Sequence, residues 1–193
     1  MKYVSPQIRA RSKPLTDREL TAIITACVQG KVDGRQTWPS RDLAVVLFLV
    51  TTGLNEEEFL KLRVHQINEF EDRAEVVVTN TNGQERHVLV PEETIGILRR
   101  NLSERRRRVG VIRTDDILFV RVNGESYSAR SLYRLVARLL AQAGVETRTG
   151  SMVHLLRRTY VARAKRSGTS VQQLHEFLGH ESKRSTERLF ATL

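Results

Sequence analysis

The chain has 193 residues, of which 40% are hydrophobic and 28% charged, and its formal net charge is +10. This length suits one ordinary domain, and the composition is that of a folded soluble protein, not a disordered one. No apolar run approaches the roughly 20 residues of a membrane-spanning helix. No signal peptide is recognisable after Met1, and the single cysteine, Cys27, excludes an internal disulfide.

The net positive charge comes entirely from the second half of the chain. Residues 1–100 hold 14 Lys and Arg against 14 Asp and Glu, whereas residues 101–193 hold 18 against 8. A basic half of this strength favours a polyanionic partner, with a merely basic surface as the alternative. Aromatic residues make up only 6% of the chain, too few for a surface that stacks single-stranded bases. We therefore expect double-stranded DNA as the partner.

The first part of the chain predicts helices around a buried centre. Residues 1–14 read as a polar, basic N-terminal arm without periodicity. A capping box over residues 16–19 precedes an amphipathic helix that holds Cys27 as a buried packing thiol. Ser40 is predicted to cap an almost wholly apolar helix, residues 43–50, at the centre of the core.

A hairpin and a basic helix end follow. Residues 55–58 again have a helix N-cap pattern. Residues 75–79 and 86–90 have the composition of strands and flank Asn82-Gly83, a strong hairpin signal. The next helix ends in four arginines, residues 105–108, which either contact phosphates or form a solvated helix end.

An amphipathic helix that begins at Ser128 carries a row of arginines. Arg130, Arg134 and Arg138 are spaced four residues apart, on the face opposite the leucines. Such a row is suited to the phosphates along a groove of duplex DNA. We predict that these three arginines bind DNA.

The C-terminal part predicts a second anion-binding group. His154 and Arg157 are three residues apart on one helical face, and His180 follows Gly179, which can end a helix in the left-handed conformation. Two imidazoles and a guanidinium are donors that can converge on a phosphate. We predict that His154, Arg157 and His180 bind phosphate, and we expect neither a cofactor nor a metal site.

These motifs resemble the catalytic domain of the tyrosine recombinase (phage integrase) family. The matching stretches are His-Leu-Leu-Arg-Arg-Thr (154–159), Leu-Gly-His (178–180), Thr-Gly-Leu (52–54) and Glu58. The resemblance implies one domain over residues 15–193, mainly α-helical with a small antiparallel β-sheet. It also implies a reaction in which a tyrosine attacks a DNA phosphodiester. Two arginines would hold the phosphate, and a lysine in the hairpin would protonate the leaving oxygen.

Three positions depart from the pattern of the family. Phe190 stands where the resemblance places the tyrosine, and Asn55 where it places the first arginine. Thr81, or its neighbour Asn80, stands where it places the lysine. A phenyl ring has no oxygen with which to attack, and neither Thr nor Asn acts as an acid near neutral pH. The carboxylates of residues 56–58 are expected to repel a phosphate beside Asn55.

The chain is therefore expected to be a recombinase-like DNA-binding protein without cleavage activity, in a regulatory or accessory role. We expect it in the cytoplasm, associated with the nucleoid and not with a membrane. A second copy of itself or a cognate recombinase is a possible further partner. One alternative is an active recombinase whose position 190 was mutated or that uses Tyr160, a residue we expect to be buried. The other is a module that binds a cognate recombinase instead of DNA.

Overall fold

The computed structural model is mainly helical with a small sheet, and it describes residues 13–30, 38–79, 83–146, 151–180 and 182–193. The helices are α1 (Asp17–Gln29), α2 (Pro39–Thr52), α3 (Glu56–Lys61), α4 (Glu92–Val109), α5 (Ala129–Gln142), α6 (Met152–Arg166), α7 (Val171–Leu178) and α8 (Lys183–Ala191). The strands are β1 (Ile67–Glu69), β2 (Ala74–Thr79) and β3 (Glu85–Val90). The predicted fold, mainly α with a small antiparallel sheet, is confirmed. Most of the predicted arm, residues 1–14, lies outside the described residues.

The sheet is antiparallel with the strand order β1-β2-β3. Val76 pairs with Ile67 on one side and with Val88 on the other. Thr79 and Glu85 form the last pair, so residues 80–84 connect the two long strands. Alternate valines of β2 and β3 are buried, as expected for strands with one face on a core.

The core is built around α2, which packs against α1, α4 and α6. Nearly all of its side chains are buried, which fits its apolar sequence. Phe48 of this helix meets Phe119 edge-on with ring centroids 5.2 Å apart, and Phe59 stacks on Phe119 at 4.6 Å. Cys27 on α1 is buried as predicted, and burial raises the pKa of its thiol to about 12.

The start of α2 differs from the prediction. Ser40 was expected to be the N-cap, but the helix begins at Pro39 and the cap position is Trp38. Proline is favoured in the first turn of a helix because its fixed φ is already helical. An N–H group at that position would have no partner within the helix, so its absence costs nothing. The Ser40 hydroxyl instead accepts from Nε1 of Trp38 at 3.0 Å and donates to the carboxylate of Glu104.

The four arginines at the end of α4 have different surroundings. Arg105 is buried and donates to a carbonyl of the extended link at residues 117–118, at 2.6 Å. Arg108 lies over the ring of Trp38, 5.4 Å from its centroid. Residues 106–107 are exposed without such contacts, so only this part of the run is a solvated helix end, and the predicted contact with phosphates stays a prediction.

A second, smaller apolar cluster holds the C-terminal helices against α6. Val161, Leu174 and Leu178 are buried in it, and Phe190 and Leu189 pack against them. The cluster brings the end of α7 close to the main domain. Among the described residues, no helix has both the length and the apolar character needed to cross a membrane.

Candidate functional site

Arg157 lies at the centre of the candidate site, on the buried side of α6. Its side chain donates to the carbonyl of Gly53 at 2.8 Å and to that of Leu178 at 3.0 Å. These are the last carbonyls of α2 and α7, where a cation is favoured by the helix dipole. Burial lowers the pKa of Arg157 to about 10, against the opposing charge of Glu58, so the guanidinium stays charged at neutral pH.

Glu58 on α3 joins Arg157 to a second arginine, Arg86, on β3. Arg86 donates two parallel hydrogen bonds to the Glu58 carboxylate, at 2.6 and 3.0 Å. The nearest nitrogen of Arg157 lies 3.7 Å from the same carboxylate. We call these three residues the Glu58 cluster. Burial opposes ionisation of Glu58, but the hydrogen bonds and charge of Arg86 outweigh it and hold the carboxyl pKa below its usual value.

Arg86 is the site residue that sequence analysis missed. It lies outside the predicted anion-binding groups, and the sequence placed it only at the start of a predicted strand, residues 86–90. Its Nε also donates to the carbonyl of Phe177 at 3.1 Å, so it ties the sheet to α7. Arg86 and Glu58 are 28 residues apart in the chain. Hydrophobic periodicity predicts which face of an element is buried, and it does not predict an ion pair between two elements.

Asn55 is the N-cap residue of α3. Its side-chain oxygen accepts from the backbone N–H of Glu58 at 2.9 Å, and the Glu58 side chain accepts from the backbone N–H of Asn55. The predicted capping box is therefore confirmed. The side chain lines an open cavity of about 700 Å³ between α3, β2 and the end of α7, together with Lys61, Arg63, Gln66 and His180.

Two of the three carboxylates at residues 56–58 are paired with cations in the structure. Glu58 is neutralised within its cluster, where two arginines face one carboxylate. Glu57 is exposed and pairs with Lys61 at 2.6 Å. Sequence alone counted each of these carboxylates as a free charge, because their partners lie on other elements or one helical turn away.

The three predicted phosphate ligands do not share one environment. Arg157 is 4% exposed, and His180 lies close enough for the charge of Arg157 to act on it. His154 is exposed on the outer side of α6. His180 follows Gly179, whose φ of 60° is left-handed as predicted, and its Nδ1 lies 2.8 Å from the hydroxyl of Thr186.

Phe190 is a packing residue in the structure. Its half-buried ring belongs to the small C-terminal cluster, and the ammonium of Lys165 lies 4.5 Å above the ring centroid. The same ammonium donates to the Phe190 carbonyl at 3.0 Å. Thr81, the third departure from the family pattern, lies outside the described residues.

Tyr160 is half-buried and packs against the backbone of Gly53. A Cβ at position 53 would lie 2.4 Å from the Tyr160 ring, so only glycine fits this contact. Burial raises the pKa of the Tyr160 hydroxyl. The residue was expected to be buried, and the structure has it only half-buried, packed between Gly53 and the small C-terminal cluster.

The row of arginines on α5 is only partly free. Arg130 and Arg134 are exposed, and neither pairs with a carboxylate in the part of the chain that the structure describes. Arg138 is half-buried and donates to Asp42 at 2.6 Å. Asp42 is buried at the start of α2, so Arg138 also serves to neutralise a core carboxylate.

Protonation of His180 is expected to destabilise the fold. Burial, followed by the charge of Arg157, lowers its pKa to about 4 from an ordinary value of 6.5. The unfolded chain therefore binds more protons between these two values, and stability should fall as the pH drops from 6.5 towards 4. His180→Asn should flatten this part of the stability curve in denaturant titrations. The same substitution at exposed His65 is the control, and an equal flattening there would contradict the assignment.

Known proteins share both the sequence and the fold. The model of the phage integrase family matches residues 13–192. The tyrosine recombinase XerA of Pyrococcus furiosus is 28% identical over 180 residues, which are 91% of this chain and 56% of that protein. XerC of Corynebacterium glutamicum is 31% identical over 149 residues, covering 76% of this chain and 45% of that one. The chain thus spans about half the length of these relatives.

A solved structure has the same fold at low sequence identity. The XerH site-specific recombinase bound to its difH substrate superposes with a TM-score of 0.77 at 20% identity, over 93% of this chain and 50% of that one. The two chains therefore share a fold.

Proposed function

Because the chain belongs to the phage integrase family, we propose that it binds duplex DNA without cutting it and acts as a regulatory or accessory factor. Phe190 carries this proposal. It is half-buried in an apolar cluster at the position where the family resemblance places the attacking tyrosine. A chain without that nucleophile has no covalent route to strand cleavage.

The remaining site supports phosphate binding more than chemistry. In the Glu58 cluster two guanidiniums face one carboxylate, which leaves one net positive charge behind the cavity that Glu58, Asn55 and His180 line. That charge attracts a phosphate. Asn55 adds no charge, and its side-chain oxygen is occupied by the helix cap. Transition-state stabilisation at this position is therefore weaker than a second free arginine would supply.

The exposed arginines of α5 supply the second support. Arg130 and Arg134 are one helical turn apart on the solvent face of a regular helix. Two such cations follow the spacing of phosphates along a groove, whereas Arg138 is held by Asp42. DNA affinity is therefore expected to depend more on Arg130 and Arg134 than on Arg138.

Duplex binding should fall steeply with salt. In gel shifts with mixed-sequence duplex at about 50 and 200 mM salt, affinity should drop by one or more orders of magnitude because bound counterions are released. The plot of log affinity against log salt has a negative slope, and the Arg130→Ala/Arg134→Ala double variant should make it shallower by about 2. An unchanged affinity at both salts would contradict the proposal.

A matched double variant controls for net charge. Arg18 on α1 and Arg100 on α4 are also exposed, and, like Arg130 and Arg134, neither pairs with a carboxylate among the described residues. Their replacement by alanine removes the same two charges and should leave the salt slope nearly unchanged. Equal losses in the two double variants would mean that only net charge matters. Binding to a recombinase but not to duplex would favour the interaction module instead.

A further inference from the structure

A buried hydroxyl links two histidines at the edge of the candidate site. Thr186 on α8 is 0% exposed. Its Oγ1 lies 2.8 Å from Nδ1 of His180 and 3.2 Å from Nδ1 of His175. His180 lines the cavity beside Asn55, whereas His175 belongs to the last turn of α7. The two rings therefore share one oxygen atom.

The number of protons restricts the states of the two rings. A hydroxyl has one proton to donate and two lone pairs with which to accept. Thr186 can donate to one ring and accept from the other. If both rings donated to the Thr186 oxygen, neither ring could accept the hydroxyl proton. That proton would then be buried away from solvent without an imidazole acceptor, and an unsatisfied buried donor costs free energy. The two histidines must then hold opposite tautomers.

The distances indicate which ring receives the proton. To an oxygen acceptor, a hydroxyl forms hydrogen bonds of about 2.7–2.8 Å and an N–H group forms bonds of about 2.9–3.0 Å, so the shorter contact favours the hydroxyl as the donor. The contact of Thr186 with His180 is the short one of the pair. Burial and the charges of Arg157 and Arg86 keep His180 neutral. A neutral ring has a single N–H to place.

We propose that Thr186 and His175 are positioning residues that fix the tautomer of His180. His175 donates to Thr186, Thr186 donates to Nδ1 of His180, and the proton of His180 sits on Nε2. Nδ1 is turned to the buried hydroxyl, so Nε2 is the nitrogen available to a ligand in the cavity. His180 then offers a neutral N–H to an anionic oxygen, which is the phosphate if the proposed function holds.

The opposite tautomer would work against phosphate. With its proton on Nδ1, His180 would present a lone pair from Nε2 to the anion. Protonating both nitrogens would restore a donor, but two neighbouring arginines oppose that charge. A relay through Thr186 keeps a donor in place without adding a charge to the site.

The tautomers can be read directly in the full chain without DNA. With ¹⁵N-labelled histidine, long-range ¹H–¹⁵N correlation spectra at neutral pH should show His180 as the Nε2–H form and His175 as the Nδ1–H form. Thr186→Val should return His175 to the Nε2–H form that an unpartnered imidazole prefers, and Thr186→Ser should keep the pattern of the unmodified chain. His180 in the Nδ1–H form, or His175 in the Nε2–H form in the unmodified chain, would overturn the proposal, even if the valine variant does not fold.

Duplex affinity gives the second readout. Thr186→Val leaves His180 in its Nε2–H form but no longer holds the ring in place, so this variant should bind duplex three- to tenfold more weakly than the serine variant, the range expected for one hydrogen bond. Equal affinities in two folded variants would overturn the link between the relay and the anion. The spectra need no DNA, so a failure of the unmodified chain to bind duplex would contradict the proposed function and not the tautomer assignment.

Discussion

Replacing Glu58 by alanine should lower the free energy of unfolding by about 3–5 kcal/mol, the usual cost of removing one partner from a buried ion pair. The Glu58 side chain is 6% exposed, and those of Arg86 and Arg157 are 13% and 5% exposed. Without the carboxylate, two guanidiniums would face each other with little water between them. The start of α3 would also lose the reciprocal half of its cap at Asn55. Urea titrations followed by circular dichroism measure the loss.

Glu57→Ala is the matched control for this substitution. Glu57 lies on the same helix, but it is exposed, and its ion pair among the described residues is with Lys61. Such a pair contributes about 0.3–0.5 kcal/mol. Removing Arg86 together with Glu58 should cost less than the sum of the two single substitutions, because the double variant leaves fewer uncompensated charges. Similar losses at positions 57 and 58 would contradict the buried cluster.

The stabilising effect of Glu58 should also depend on pH. Its folded-state pKa is held below the ordinary glutamate value, mainly by Arg86 against the cost of burial. Its contribution is therefore present above the unfolded pKa and is lost as the pH falls through the folded one. The difference between the unmodified chain and Glu58→Ala should narrow in acid.

Much of the fold could be predicted because its signals are local. The cap at Thr16, the cap at Asn55 and the helix end at Gly179 each depend on residues within one turn, and all are present in the structure. The strands followed from runs of β-branched residues around the Asn-Gly turn. The cap at Ser40 was wrong because proline one residue earlier is the stronger signal, and the Ser40 hydroxyl finds partners elsewhere.

The site was only partly predictable because its charges are set by distant partners. The sequence identified Arg157 and His180 but not the Arg86–Glu58 pair that lies beside them. It also treated Arg138 as equivalent to Arg130, although a buried aspartate from α2 holds it. Spacing along a helix shows which residues share a face, and it does not show what the rest of the chain places against that face.

Restoring the hydroxyl at position 190 should not restore DNA cleavage. In Phe190→Tyr the new oxygen would face a phosphate with one of the two expected arginines replaced by Asn55. Loss of one such charge donor typically costs about 10²–10³ in rate. The leaving oxygen would also lack its acid if Thr81 stands in place of the lysine. The deficits compound, so the variant should remain several orders of magnitude below an intact site.

Covalent trapping of Phe190→Tyr on nicked duplex is the most direct test of a protein that binds DNA without cutting it. A pool of duplexes with randomised sequence around a nick would be incubated with the variant at concentrations that shift the pool in a native gel. A member of the family with an intact site, on its own nicked substrate, is the positive control. We predict that the denaturing gel shows no protein–DNA adduct for Phe190→Tyr. An adduct that forms readily and requires the new tyrosine would show that the rest of the site is competent, which contradicts the account.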